Sequence, residues 1–200
     1  MTITILLSGV NANFLNQEII NAAKDGNDEK VKNLLQNEEI NVNAYENKWW
    51  KKKTALIIAS EKDHEKIVKL LLQDTRIDIN AIDGDHKTAL IKASENHQEN
   101  TVKLLIENSN IDVNVKDRHF RQTALFGASE KGHEKVVKVL LENFKIDVNA
   151  KNSRYLYHRE DETALIKASE NGYEKVVKLF LQDRRINVNA KDYDRQTTRP

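Results

Sequence analysis

Histidines and carboxylates are the residues of this 200-residue chain that could carry catalysis or bind a metal ion. His86, His119 and His158 lie in three successive linkers between repeated blocks, and neighbouring helices pack about 8 to 10 Å apart. Zinc ligands must converge on one ion at about 2.0 to 2.1 Å each, which disfavours a shared site. The sequence contains no pattern of a nucleophile–base pair, no phosphate-binding glycine loop and no HExxH. We therefore predict no catalytic residue, no metal site and no cofactor.

Aromatic and basic residues are concentrated in the linkers, where a turn requires neither type. Turn tips usually carry Gly, Asn, Asp or Ser, yet the first linker reads YENKWWKKK and the last KNSRYLYHREDE. Aromatic and arginine side chains dominate binding hot spots because they bury a large area with few rotatable bonds. We therefore predict a protein-binding surface formed by the linkers and by the helices beside them. Its predicted residues are Trp49, Trp50, Lys51, Lys52, Lys53, Ile58, Lys92, Phe120, Arg121, Arg154, Tyr155, Tyr157 and Lys167.

Two other interpretations of these residues stay open. The aromatic side chains can pack against neighbouring linkers and stiffen the long loops. The lysines at 51–53 beside two tryptophans also resemble a nucleic-acid patch, in which cations contact phosphates and rings stack on bases. Asp83, Asp85 and Asp161 in other linkers would repel a nucleic-acid backbone, so a partner protein with an acidic or apolar segment fits better.

Five copies of one unit position these residues. The sequence Thr-Ala-Leu opens copies at Thr54, Thr88, Thr123 and Thr163, and a degenerate copy begins near Gln17. A second pattern, Ile-(Asp/Asn)-(Val/Ile)-Asn, recurs at positions 40, 77, 111, 146 and 186, at intervals of 37, 34, 35 and 40 residues. Periods of this length indicate stacked supersecondary units.

Residues 123–150 show what one unit contains, two short helices and a loop. Thr123 suits an N-cap, Gly132 the turn between the helices, and Glu134 the start of the second helix. The turn position holds Gly26, Asp63, His97 and Gly172 in the other copies, and all of these types tolerate a left-handed backbone. Helices this short are marginal alone, so the units must stack. Asn149 and its counterparts are expected to hydrogen-bond the turn that starts each linker.

The chain resembles the ankyrin repeat family over residues 17 to about 192. The resemblance rests on the Thr-x-Leu opening, on Gly-His-Glu in KGHEKVVKVLL, and on the Asp-Val-Asn after the second helix. It implies an all-α solenoid of about five helix-loop-helix units, with the linkers projecting as hairpin fingers. We call the linkers at 45–53, 82–87, 116–122 and 151–162 the four fingers. The family's Thr-Pro-Leu-His is Thr-Ala-Leu-Ile or Thr-Ala-Leu-Phe here, which exchanges a Thr–His hydrogen bond for burial.

The predicted domain boundaries follow the repeats. We expect an N-terminal arm at 1–13, one ankyrin repeat domain at 14–192 and a C-terminal tail at 193–200. The units are expected at about 14–44, 54–81, 88–115, 123–150 and 163–190. Glu18 and Lys30 are expected to solvate the outer face of the first unit, as a terminal repeat requires. Ala164, Val176 and Leu179 are expected to leave an apolar end that promotes end-to-end self-association.

Composition limits the function classes. The chain has 32 basic and 31 acidic side chains and a formal charge of +1, which gives no overall attraction to nucleic acid or membrane. It has no cysteine, so a cytoplasmic location is expected, with secretion into a host cell as an alternative. We interpret the chain as a non-catalytic protein-interaction module. Two alternatives stay open: an adaptor or effector subunit that targets an enzyme on another chain, and a weak nucleic-acid binder through the Lys/Trp finger.

Overall fold

Ten α-helices form five consecutive pairs in the described chain. The computed structural model describes residues 2–46, 52–153 and 161–191, and the side chains from residue 13 onward within these ranges. The first helices of the pairs are α1 (Thr2–Asp25), α3 (Ala55–Glu61), α5 (Ala89–Glu95), α7 (Ala124–Glu130) and α9 (Ala164–Glu170). The second helices are α2 (Asp28–Leu35), α4 (Glu65–Gln73), α6 (Glu99–Ile106), α8 (Glu134–Leu141) and α10 (Glu174–Gln182). The predicted all-α solenoid of five units is confirmed.

Local signals set the ends of the helices as predicted. The hydroxyl oxygens of Thr54, Thr88, Thr123 and Thr163 accept a hydrogen bond from the N–H three residues later, at 3.2 to 3.3 Å. The turn between the two helices is left-handed in every unit, with φ of 72° at Gly26, 61° at Asp63, 64° at His97, 69° at Gly132 and 71° at Gly172. Glycine adopts this conformation without a steric penalty, and Asp and His tolerate it better than most side chains.

The helices pack in two layers around one continuous core. Each first helix contacts the first helix of the next unit, and each second helix contacts the next second helix. The alanines Ala22, Ala59, Ala93, Ala128 and Ala168 are 0 or 1% exposed, and their small side chains allow adjacent first helices to approach. Leu125 and Phe126 of α7 are each 1% exposed. Burial of one such side chain stabilises the fold by roughly 1.5 to 3 kcal/mol, and a unit gains this stabilisation only when its neighbouring units are present.

An asparagine after the second helix connects each unit to the next. The side-chain nitrogens of Asn43, Asn80, Asn114 and Asn149 donate to a backbone carbonyl of the following unit at 2.8 to 2.9 Å. The oxygen of each amide accepts the N–H of the residue two positions after that carbonyl, at 2.8 Å. We call this row the asparagine ladder. The predicted bonds to the turn that starts each linker are therefore wrong, because both ends of the side-chain amide are bonded to the next unit. The backbone N–H of each asparagine is bonded within its own turn, by the side chain two residues earlier.

The first unit begins differently from the expectation. Residues 2–13, predicted as an arm, are the first half of α1, which runs for 24 residues. The segment that was expected to be an N-terminal arm is therefore a helical extension of the first unit. Glu18 and Lys30 form an ion pair at 2.5 Å, so these polar residues bind each other on the terminal unit. None of the described helices, α1 included, is both long and apolar enough to cross a membrane.

The last unit exposes other apolar residues than those expected. Ala164 and Val176 are 2% and 1% exposed, and Leu179 is half-buried, because each packs inward on the core. The expectation that they form an exposed apolar end is therefore wrong. Leu181 of α10 is 58% exposed instead. End-to-end self-association stays a prediction, and Leu181→Asp, analysed by light scattering over a range of concentrations, is the variant that tests it.

Candidate protein-binding surface

Each finger is closed at its base by one backbone hydrogen bond. The N–H groups of Glu46, Asp83, Asp117 and Asn152 donate to the carbonyl of the residue just before the capping threonine, at 2.8 to 3.0 Å. We call these four residues the finger-base row. They are 7, 4, 1 and 2% exposed, in that order. A buried polar side chain is costly unless it is hydrogen-bonded, so each member of the row needs donors nearby.

The finger backbone supplies part of what these side chains need. In the second finger, Asp83 Oδ1 accepts the N–H groups of Asp85 and Lys87, each at 2.9 Å. In the third finger, Asp117 Oδ1 accepts two finger N–H groups in the same way, at 2.9 and 3.2 Å. The two carboxylates therefore have the same orientation, with Oδ1 bound by the loop and Oδ2 left for another partner.

Lysines from the first helices supply the opposite charge at three of the four fingers. The pairs are Lys24–Glu46 at 2.6 Å, Lys92–Asp83 at 3.0 Å and Lys167–Glu162 at 3.3 Å, measured from nitrogen to carboxylate oxygen. Burial alone would lower the pKa of Lys92, but the charge and hydrogen bond of Asp83, together with the charges of Glu61 and Glu95, raise that pKa. The pKa of Lys167 is raised against burial in the same way, mainly by Glu162. Both lysines are therefore held charged and paired.

The third finger lacks such a lysine. The helix position that holds lysine in the third and fifth units is Gly127 here. Among the described residues Lys87 Nζ is the nearest cation, but it lies 3.9 Å from Asp117 Oδ2 and only 2.6 Å from Glu95 Oε1. Asp117 Oδ2 is buried and forms no hydrogen bond with any described residue. This finger base is therefore incomplete relative to its neighbours.

The structure describes seven of the thirteen predicted surface residues, and they differ in accessibility. Lys52 and Arg121 are exposed in the fingers, with left-handed φ of 37° and 55°. Phe120 is half-buried, and Lys53 is half-buried beside a carboxylate of α3. Ile58 is 2% exposed and belongs to the core. Six predicted residues lie outside the described residues: Trp49, Trp50, Lys51, Arg154, Tyr155 and Tyr157.

The second, third and fourth fingers are joined to each other. The N–H of Arg118 donates to the carbonyl of Asp85, and the N–H of Ser153 donates to the carbonyl of Phe120, both at 2.9 Å. His119 Nε2 also lies 3.1 Å from Asp85 Oδ1. The third finger is thus held from both sides. We call the fingers, together with the first helices next to them, the finger edge.

The finger-base row was missed by sequence reasoning, although a signal was present. An acidic or amide residue follows each ladder asparagine by three positions, in NAYE, NAID, NVKD and NAKN. Sequence reasoning assigned the aspartates to exposed linkers, where they would repel phosphates. The structure buries Asp83 and Asp117 and uses them to shape the fingers. The repeated spacing, rather than the charge, was the informative feature.

Histidines occupy structural positions in the turn between the helices. The rings of His97 and His133 stack in parallel with centroids 4.6 Å apart, and His133 Nε2 lies 3.2 Å from the carbonyl oxygen of Glu95. Burial is the main cause that lowers the pKa of His133; the Glu95 carbonyl opposes it, and the charges of His97 and Lys131 lower that pKa further. Within the described ranges, no three His, Asp or Glu side chains come together to hold a metal ion.

A family profile and a solved structure are both similar to this repeat architecture. A family profile described as ankyrin repeats in three copies matches residues 2–83, 19–117, 83–152 and 110–192. The crystal structure of EF0377, an ankyrin repeat protein, is similar with a TM-score of 0.78 and 26% sequence identity, over 92% of this chain and 88% of that one. A search of curated proteins returned no match. The overlapping family matches are the result expected of units that repeat in register.

Proposed function

Because the chain belongs to the ankyrin repeat family, whose members generally act as protein–protein interaction modules, we propose that it binds a partner protein with its finger edge. The proposed contacts come from the fingers and from the helix positions beside them. In the described residues they are Lys52, Lys53, Lys92, Phe120, Arg121 and Lys167. The proposal also includes Trp49, Trp50, Lys51, Arg154, Tyr155 and Tyr157 in the first and last fingers. It involves no catalytic step.

The observation that carries this proposal is one helix position whose residue type changes from unit to unit. The first helices after α1 share the threonine cap, the following Ala-Leu and a buried alanine. The position four residues after the threonine is nevertheless Ile58, Lys92, Gly127 and Lys167 in turn. Packing positions repeat because each unit meets the same neighbours. A position beside the fingers that the stack does not restrict to one type is suited to contacts with a partner.

The charges of the finger edge favour a protein over a nucleic acid. Lys53, Lys92 and Lys167 each lie in an ion pair with a carboxylate. The exposed cations of the described fingers are Lys52, Arg118, Arg121 and Lys151, and Lys151 Nζ donates to the carbonyl of Lys191. A nucleic-acid backbone draws its affinity from many free cations that release counterions. On the finger edge, exposed basic residues of the fingers lie beside helix lysines whose charges are already paired. A protein segment with apolar side chains and a few carboxylates fits this arrangement better than a nucleic acid does.

The proposal can be tested with a displayed library of random peptides selected on the intact chain. Phe120→Ala removes an aromatic ring from the finger edge, and the double variant Trp49→Ala, Trp50→Ala removes two more. Phe144→Ala is the matched control, because Phe144 is 84% exposed and follows the second helix α8. We expect the finger variants to weaken the selected peptides about tenfold or more, as for aromatic hot spots, and the control to leave binding unchanged.

The opposite pattern would overturn the proposal. Selected peptides that bind the finger variants as tightly as the parent chain, or that are lost with Phe144→Ala, would place the binding surface elsewhere. A failure of the intact chain to select any peptide would also count against it. Binding of single-stranded DNA with an affinity that falls steeply with salt, and no peptide binding, would favour the nucleic-acid alternative.

A further inference from the structure

Two neighbouring fingers place the same buried aspartate beside different helix residues. In the second finger, Lys92 Nζ lies 3.0 Å from Asp83 Oδ2, while Asp83 Oδ1 accepts two finger N–H groups. In the third finger, Asp117 Oδ1 is held by the same type of N–H groups, but the helix position is Gly127. Asp117 Oδ2 therefore has no helix lysine in the place that Lys92 Nζ takes beside Asp83 Oδ2 one unit earlier. We call this place, between Asp117 Oδ2 and Gly127, the Asp117 notch.

Asp117 is the one member of the finger-base row whose buried carboxylate lacks a close cation. Its side chain is 0% exposed, and Oδ2 has no hydrogen-bond donor among the described residues. Glu46 and Asp83 each have a lysine, and the fourth member is the uncharged Asn152. A carboxylate oxygen that has lost water and gained no donor is costly to bury. A cation that reached it would therefore recover much of that free energy.

The local charge balance also favours a cation. Asp117 and Glu95 both lie beside the single ammonium group of Lys87, which is 3.9 Å from the first and 2.6 Å from the second carboxylate. The lysine is thus committed to Glu95. Two carboxylates share one positive charge, so the notch attracts a second cation.

The space above Gly127 suits an alkyl stem that carries a cation. The units on both sides accommodate a lysine at this helix position, Lys92 in α5 and Lys167 in α9. A Cβ at Gly127 would lie 3.0 Å from Glu95 Cγ, so the Glu95 side chain leans over the vacant position. This side chain is 13% exposed, and Lys87 Nζ holds its carboxylate at 2.6 Å. Entry of a cation therefore requires that Glu95 turn outward, and its carboxylate then becomes a second acceptor beside the incoming charge.

We propose that the Asp117 notch receives a lysine or arginine side chain of the partner protein, which completes the ion pair that Gly127 leaves open. This inference rests on the proposed protein-binding function and specifies one anchor of the partner. The basic residue of the partner binds beside the first helix α7, while the apolar and acidic residues of the partner contact the fingers. The partner segment is therefore one in which a single basic residue lies among apolar or acidic neighbours.

A titration with small probes tests the notch separately from any peptide. The probes are N-acetyl-arginine amide and N-acetyl-lysine amide, with the neutral N-acetyl-citrulline amide as the matched control. Amide chemical shifts of the isotope-labelled intact chain report the site of binding. We expect saturable shifts at Gly127, Gln122 and Phe120 with the two cations, at millimolar concentration, and none with citrulline.

Two variants for which the chain itself provides a precedent complete the test. Asp117→Asn reproduces Asn152, whose Oδ1 accepts a finger N–H at 2.9 Å, and so keeps the loop bonds while it removes the charge. Gly127→Lys reproduces Lys92 and fills the notch from within. We expect each variant to raise the dissociation constant of the cationic probes about tenfold or more, since each removes a buried charged contact. Circular dichroism checks that both variants keep the helical fold.

The possible outcomes separate this inference from the proposed function. Equal shifts with arginine and citrulline, or unchanged arginine binding by Asp117→Asn, would overturn the notch. Selected peptides that need the finger aromatics but bind Gly127→Lys as tightly as the parent chain would also overturn it, while the protein-binding function stands. Cation binding at Asp117 without any peptide binding would support the notch and count against the proposed function.

Discussion

The asparagine ladder and the finger-base row both run along the whole stack, but they repeat in different ways. Every described rung of the ladder has the same residue, the same two bonds and distances that differ by at most 0.1 Å. The finger-base row keeps only a buried polar residue and its loop bonds. Its cation comes from α1 in the first finger, from α5 in the second, and is absent from α7 at the third.

This difference separates what the fold requires from what it tolerates. A ladder bond joins two units, so any change in its length or partner would alter their spacing and break the register. A finger-base pair joins a loop to a helix, and either can adjust without moving the next unit. The row that tolerates change lies beside the fingers, where the proposed partner binds. Four predictions test this division, from the largest expected effect to the smallest.

Breaking the complete pair at the second finger should cost the most. Asp83→Asn leaves Lys92, whose side chain is 11% exposed, without its main counter-charge. We expect the free energy of unfolding to fall by about 2 to 4 kcal/mol, because a buried charge is left unpaired and only Glu61 and Glu95 remain near it. Urea denaturation of the variant measures this loss.

Asp117→Asn is the matched control for that variant, with the same substitution one unit later. It removes a charge that has no close cation, so we expect a change of less than about 1 kcal/mol, or a gain. Equal losses in the two variants would mean that the finger bases are equivalent. The proposed difference between the second and third fingers would then be wrong.

Cutting one rung of the ladder should have the next largest effect. Asn114→Ala removes two hydrogen bonds between the third and fourth units, at about 1 kcal/mol each, so we expect a loss of about 2 kcal/mol. Asn143→Ala is the control, because its side-chain oxygen accepts one N–H within its own unit. The coupled unfolding of the units should also broaden with Asn114→Ala only. A urea transition as sharp as that of the control would contradict a linking role.

The repeat, the helix ends and the core could be predicted from the sequence because they depend on local residue types. The cap at Thr123 and the turn at Gly132 depend on the residue types at those positions, so their roles follow from local propensity. The inter-unit bonds of Asn114 could not be predicted, since the sequence does not state which carbonyl of the next unit is within reach. Spacing showed that the asparagine mattered but not what it bonded.

The candidate site was predictable only in part, for a related reason. Phe120 and Arg121 stood out by composition, and the structure places Arg121 at the surface and Phe120 half-buried. The significance of Gly127 depends on Asp117, ten residues earlier in the chain, and on Glu95 in the preceding unit. The sequence shows that Gly127 occupies the repeat position of Ile58, Lys92 and Lys167, but only the packed units show that Asp117 has a buried carboxylate without a helix lysine.

Filling the vacant position should stabilise the chain. Gly127→Lys replaces a mid-helix glycine by a good helix former, which contributes about 1 kcal/mol, and adds a cation beside Asp117. Gly127→Ala is the control that supplies the helix propensity without the charge. Both variants place a Cβ 3.0 Å from Glu95 Cγ, which opposes the gain in helix propensity equally, so we expect the lysine variant to be more stable against urea than the alanine variant. A lysine variant no more stable than the alanine variant would show that Asp117 does not accept a cation from this position.

A change of pH should have the smallest effect on stability, and it should act beside the finger-base row but not on the asparagine ladder. Burial holds the pKa of His133 below its ordinary value of 6.5, so between these two values the unfolded chain binds more protons than the folded one. The free energy of unfolding should therefore fall as pH decreases below about 6.5 and be insensitive to this group above it. His133→Gln, which reproduces Gln98 of the preceding unit, should flatten that dependence.

His133 bonds the carbonyl of Glu95 beside the notch, whereas ladder amides and their backbone partners do not titrate. Amide hydrogen exchange at acidic pH should thus accelerate first in α5 and α7 and later at Asp147, whose N–H belongs to the ladder; simultaneous acceleration would show that the two rows are not separable.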